Sequence, residues 1–211
     1  MDIPRRTPAN TAIVLIDYVT GFANQFTSQP LAENINGGVA LAKIALGYRA
    51  PLIVTLGPKQ DPRGGLYPQL AEAIGDHPVV HREGSFDAFM YPGFAKAVED
   101  TGAEHLVIAG LMTEGCVLYT SLEALRRGYT ISIAVDATAG ATPVNHSAAL
   151  SRLTTYGATL TNWMSLASEF QVSYDNLDTA DLYMSLFPYS PSYWLNRLTI
   201  GSAVAIGKSQ A

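Results

Sequence analysis

The sequence is poor in the features that most quickly assign a chain to a class. One cysteine in 211 residues cannot build an internal disulfide framework. Charged residues make up 15% of the chain, below the roughly 25% of typical soluble domains, which leaves apolar surface to be covered and points to a homo-oligomer. The formal charge is −5 and no run of Lys or Arg occurs. Phosphate backbones and anionic membranes therefore meet no attractive field, and nucleic acid is not an expected partner. No stretch reaches the ~18 consecutive apolar residues of a membrane span. Met1 to Asn10 is polar and Pro-containing, without the apolar segment of a secretory signal, so a cytoplasmic location is expected. The four histidines, His77, His81, His105 and His146, are scattered without ligand spacing, so neither a metal nor another cofactor is expected. There is no internal repeat.

What is present is apolar pattern. Hydrophobic residues are 48% of the chain, enough for one sizeable core. Ala12 to Asp17 (AIVLID) is a continuous apolar run, as a central parallel strand buried on both faces requires. Helical periodicity over Asn34 to Tyr48, ended by Gly47, leads to a strand at Pro51 to Thr55, a short helix at Tyr67 to Ile74 and a strand at Pro78 to His81. The alternation continues with a helix at Gly93 to Thr101, a strand at His105 to Gly110, a helix at Glu114 to Arg127 stopped by Gly128, and a strand at Thr130 to Asp136. A helix at Asn145 to Tyr156, a strand at Thr159 to Asn162 and a helix at Trp163 to Phe170 complete about six βα units. The right-handed crossover rule folds these into an α/β, doubly wound, Rossmann-like and mainly parallel six-stranded sheet with helices on both faces. Residues 1–170 form that domain. Residues 171–211 read as an appendage whose apolar side chains, Leu182, Tyr183, Met184, Leu186, Phe187, Tyr189, Tyr193 and Trp194, must dock on the domain or on a neighbouring subunit.

Open α/β sheets place their chemistry beyond the carboxyl ends of the strands. Asp17 ends the first strand there, Arg82 follows the third, and GLMTEGC (Gly110 to Cys116) joins the fourth strand to its helix. With Thr113 as N-cap, Cys116 falls in the first helical turn, where free backbone N–H groups and the helix dipole favour a thiolate. Each residue also has a plainer reading: Cys116 as a small buried apolar residue, Asp17 as a helix cap or ion-pair partner, and Arg82 as a surface arginine. His81 next to Arg82 is either a pocket wall or a structural histidine. Phe22, Phe86, Phe89 and Tyr119 are candidates for the walls of a substrate pocket, with core packing as the alternative for each.

In order along the chain, VLID (Val14 to Asp17), REGSFDAF (Arg82 to Phe89), GLMTEGCV (Gly110 to Val117) and the Asp136–Ala137 pair resemble the motifs of the isochorismatase-like cysteine hydrolases. The resemblance spans about Thr11 to Phe170. It implies a catalytic Asp17, Arg82 and Cys116, with Cys116 as nucleophile and Asp17 as acid/base on a small amide-like molecule. It also implies an oxyanion hole from the N–H groups of Met112 and Cys116 and a cis peptide between Leu111 and Met112. The best-known members carry lysine where this chain has Arg82, and arginine there is similar to the YcaC-like branch. Arginine stays protonated at any working pH, so its role is electrostatic and it moves no proton. Lys59 is the alternative cation. Some nicotinamidases hold a metal near the second strand, whereas TLGPKQDPRGG (Thr55 to Gly65) has no histidine.

Two other readings compete. A nucleotide-binding domain wants a glycine-rich turn after the first strand, where DYVTGFANQF offers only Gly21. A non-catalytic scaffold on the same fold is the alternative that the lysine-to-arginine change raises.

Overall fold

The computed structural model describes residues 5–193, 197 and 198; Trp194 and the first residues of the polar N-terminal stretch, Met1 to Pro4, lie outside the described residues. Six strands form one parallel sheet in the order β3-β2-β1-β4-β5-β6. They are β1 (Thr11–Ile16), β2 (Leu52–Leu56), β3 (Val79–His81), β4 (His105–Leu111), β5 (Thr130–Ala139) and β6 (Thr159–Thr161). Strand order reverses between β1 and β4, which makes that junction the topological switch point.

Alternate side chains of β1 feed two apolar layers, as a strand covered on both faces must. Ile13 and Leu15 join a core built with α1 (Leu31–Tyr48), α2 (Pro68–Ile74) and α6 (Trp163–Gln171). Ala12, Val14 and Ile16 join the other, built with α3 (Pro92–Glu99), α4 (Leu118–Arg126) and α5 (Pro143–Thr155). Full burial of a side chain such as Ile13 or Leu15 contributes about 2 kcal/mol, so β1, buried at every position, is a firm base for Asp17 behind it.

Gly110 sets the approach of β4 to β1. Its φ is +143, and a Cβ there would overlap the Ile16 carbonyl. This close passage brings the segment after β4 beside the end of β1.

Several sequence expectations change. Gly47 does not end α1; Arg49 does, in the left-handed conformation, while Gly47 makes room for the Leu182 side chain. The fifth strand runs past Asp136 to Ala139. The segment expected as one helix from Glu114 splits into a π-helical turn, Thr113–Val117, followed by α4, because Gly115 has non-helical angles. After α6 the chain forms α7 (Ala180–Ser185), and Tyr183 and Leu186 join the α1 and α6 core. Tyr183 also shares a 2.9 Å hydrogen bond with Ser168 of α6. The described part of the appendage thus packs on its own chain.

Candidate active site

Asp17, Arg82 and Cys116 meet at the switch point. Asp17 follows β1 with φ 52, a left-handed conformation that aspartate tolerates better than most residues. Its N–H donates to the Thr55 carbonyl (3.1 Å), and the Thr55 hydroxyl donates to its Oδ1 (2.7 Å). Thr55 stands opposite Ile16 in the β1–β2 register, so the neighbouring strand holds the carboxylate by both backbone and side chain. The Arg82 Nη2 donates to Asp17 Oδ2, and its Nη1 donates to the Ser85 carbonyl. The Arg82 backbone N–H is fixed on the Leu56 carbonyl (3.0 Å). Both side chains are buried, 5% exposed for Arg82 and 7% for Asp17. Arg82 Nε is enclosed without a partner among the described residues.

Cys116 sits in the π-helical turn just before α4, not in the first turn of a regular helix. The turn is closed on the Met112 carbonyl, which accepts from Gly115 (3.0 Å) and Val117 (3.3 Å). The Leu111–Met112 peptide is cis. Thr113 is not an N-cap: it makes no cap bond, and its hydroxyl instead meets Nδ1 of His146 on α5 at 2.7 Å. Glu114 reaches the same side, accepting from the Ala141 N–H (2.9 Å). The turn is therefore pinned from α5 rather than capped by its own first residue.

The electrostatics overturn the expected resting thiolate. Burial is the largest influence on Cys116 and the Asp17 carboxylate the next, and together they push the thiol up to about 11, with Arg82 only partly offsetting them. The sulfur rests as a neutral thiol beside a carboxylate able to take its proton, and that carboxylate is braced by a fixed cation.

Of the candidate wall residues, Phe86 lies next to the Cys116 turn, its ring 3.8 Å from where a Gly115 Cβ would stand. Its centroid is 6.1 Å from that of Tyr119, and both rings are exposed. Phe22 is half-buried under the Arg63 guanidinium, 5.2 Å away. Phe89 is in the core, edge-on to Phe94 and stacked with Tyr129; with 4% exposure it has no surface to offer a substrate. His81 is tied through Nδ1 to the Gly57 carbonyl (3.0 Å). Lys59 is exposed, whereas the unforeseen Arg63 lies in the field of Asp17 and Cys116. Among the described residues, no group of three His, Cys, Asp or Glu side chains could hold a metal, and no helix is long and apolar enough to cross a membrane.

Comparison with known proteins places the fold and the family. Residues 11–165 match the model of the isochorismatase domain. The chain is 30% identical over 167 residues to the probable hydrolase YcaC of Escherichia coli K12, covering 79% of this chain and 80% of that one. A solved YcaC from Pseudomonas aeruginosa, with hexane-2,5-diol and covalent acrylamide, superposes with a TM-score of 0.87 at 30% identity, covering 95% of this chain and 99% of that one. The E. coli YcaC crystal structure, an octameric hydrolase of unknown specificity, gives a TM-score of 0.87 at 26% identity over 97% of this chain and 99% of that one. The chain belongs to the isochorismatase-domain family of hydrolases.

Proposed function

We propose that the protein is a cysteine-dependent, metal-independent hydrolase of a small amide or related C–N substrate. The observation that carries this reading is the convergence of Cys116, Asp17 and Arg82 where the sheet reverses. Asp17 takes the thiol proton as Cys116 Sγ attacks the substrate carbon, so the sulfur need not ionise beforehand. The oxyanion of the tetrahedral intermediate is received by the N–H groups of Met112 and Cys116, each such donor contributing about 3 kcal/mol to the barrier reduction. Collapse breaks the C–N bond, the amine departs with the proton from Asp17, and an acyl thioester remains. Asp17 then takes a proton from water, whose oxygen displaces the sulfur to yield the acid, and the proton passes from Asp17 to the departing sulfur to restore the thiol. Arg82, held between Asp17 and the Ser85 carbonyl, fixes the orientation of the carboxylate without moving a proton. Phe22, Phe86 and Tyr119 flank the substrate.

Small amides are the first class to try. We also propose a homo-oligomer, in line with the octameric E. coli relative and with exposed Leu177 and Met184 after α6, and a reducing, cytoplasmic setting suited to the single thiol. Residues 1–170 are taken as the hydrolase unit and 171–211 as its appendage. A non-catalytic scaffold is the second reading, favoured by the high thiol value. The test is ammonia release from a panel of small amides, with intact-mass detection of the acyl enzyme. Turnover lost in both Cys116→Ala and Cys116→Ser is the expected result. Turnover retained by the alanine variant removes the nucleophile, and no turnover of any amide favours the scaffold.

A further inference from the structure

We propose that Arg63 selects substrates carrying a carboxylate or similar anionic group at the end remote from the scissile carbon, an inference that rests on the amide-hydrolase reading above. The loop after β2 folds back over the loop after β1. Gly21 N–H donates to the Arg63 carbonyl (2.7 Å) and Thr20 N–H to the Gly65 carbonyl (2.9 Å), and Val19 bridges to Leu66. The base of this loop is tied to the catalytic side chains. Gly57 is two residues beyond Thr55, which holds Asp17, and its carbonyl binds His81, the neighbour of Arg82 in sequence. Gly57 must lack a Cβ, because one there would collide with the Asp61 carboxylate and stand 2.9 Å from Arg63 Nη2.

Asp61 grips one edge of the guanidinium, accepting from Nε (2.9 and 3.1 Å) and Nη2 (2.6 Å). The carboxylate is enclosed, with 5% of its side chain exposed, against 45% for Arg63. Nη1 has no hydrogen-bond partner among the described residues, and Nη2 keeps a second hydrogen. The Nη1–Nη2 edge is thus a vacant two-pronged donor, the geometry that matches a carboxylate. Its plane is supported by the Phe22 ring. The hydrogen bonds to Asp61 do most to raise the Arg63 value, with smaller attractions to Asp17 and Cys116 adding to it; the loop that carries this cation leaves the same carboxyl edge of the sheet as Asp17. Held by Asp61 and Phe22 before any ligand arrives, it loses little side-chain entropy on binding one. Asp61 offsets part of its charge at a distance, but at contact the open edge dominates.

Because the chain has one cysteine, the inference is testable without knowing the substrate. Iodoacetate and iodoacetamide alkylate the same thiol and differ mainly in charge, so the ratio of their rates reports the field at Cys116 free of the thiol's own ionisation. Arg63→Gln is expected to lower the iodoacetate-to-iodoacetamide ratio about five- to tenfold. Arg63→Lys should keep most of the ratio, Asp61→Asn should raise it, and about 1 M NaCl should bring the wild type toward the glutamine variant. A ratio unmoved in Arg63→Gln, or, should that variant fail to fold, a wild-type ratio insensitive to salt, overturns the inference. Absence of ammonia release from every amide would sink the hydrolase reading while leaving this ratio to stand on its own.

Discussion

The two edges of the sheet bury polar side chains in opposite ways. Near its amino edge, Arg6 binds Glu169 and Ser132, Ser132 meets His105 at 2.9 Å and Thr159 at 2.6 Å, and each group answers another. At the carboxyl edge the side chains meet but do not close. Arg82 Nε and Glu114 Oε2 are enclosed without partners among the described residues, and the Cys116 thiol is held away from its ordinary value. A satisfied network rigidifies, whereas an incomplete one costs stability and persists where chemistry requires it. The same chain thus spends polar groups on structure at one edge and keeps them available at the other.

The largest expected contrast is kinetic. Cys116→Ala should lower turnover of any accepted amide by at least about 10⁴-fold, and Asp17→Asn by about 10²- to 10⁴-fold, with steady-state rates as the readout. Glu169→Gln should leave those rates within about twofold. A kinetic loss at Glu169 comparable to that at Asp17 would erase the division between edges.

The next contrast is in stability against pH. Burial raises Asp136, beside the N-terminus of α6, from 3.8 to about 6, so its contribution is present below pH 3.8 and is lost as pH rises through 6. Burial lowers His105, at the amino edge, from 6.5 to about 4, so its contribution is present above pH 6.5 and is lost as pH falls through 4. Each is worth about 3 kcal/mol at most, and between about pH 4 and 6 their slopes oppose each other. Asp136→Asn should leave a protein that gains stability as pH rises through this window. His105→Asn should leave one that loses it. Urea midpoints at pH 4.5 and 7 measure both; parallel profiles for the two variants would contradict the assignment.

The smallest effect belongs to the partly exposed ion pair. Arg6→Met should cost about 1–2 kcal/mol by the same urea measurement, mostly because Glu169 and Ser132 lose a partner. Turnover should hold.

Much of this was legible before any coordinates. A continuous apolar run such as AIVLID, followed by strand–helix alternation, reads as a strand covered on both faces of a parallel sheet, and the carboxyl ends of such strands send Asp17, Arg82 and Cys116 to one edge. What escaped is what depends on distant partners. Thr113 has the chemistry of an N-cap, yet His146 takes its hydroxyl. Gly47 looks like a helix stop, yet Leu182 decides its identity. Phe89 reads as a pocket wall until Phe94 and Tyr129 enclose it. A helix start beside Cys116 suggested a thiolate, but burial and the Asp17 carboxylate push the thiol up, with Arg82 only partly offsetting them. Lys59 and Arg63 share a loop, and only its folding shows which cation is held by Asp61 and Phe22.

The most direct test is the pH dependence of iodoacetamide labelling of the single thiol in wild type and Asp17→Asn, read beside amide turnover. The wild type should label appreciably only well above pH 9. Asp17→Asn should label several-fold faster at pH 8 while losing turnover, because the carboxylate that hinders resting ionisation is the same group that accepts the proton during attack. A wild-type midpoint at or below about 8.5 that ignores the substitution would contradict the account.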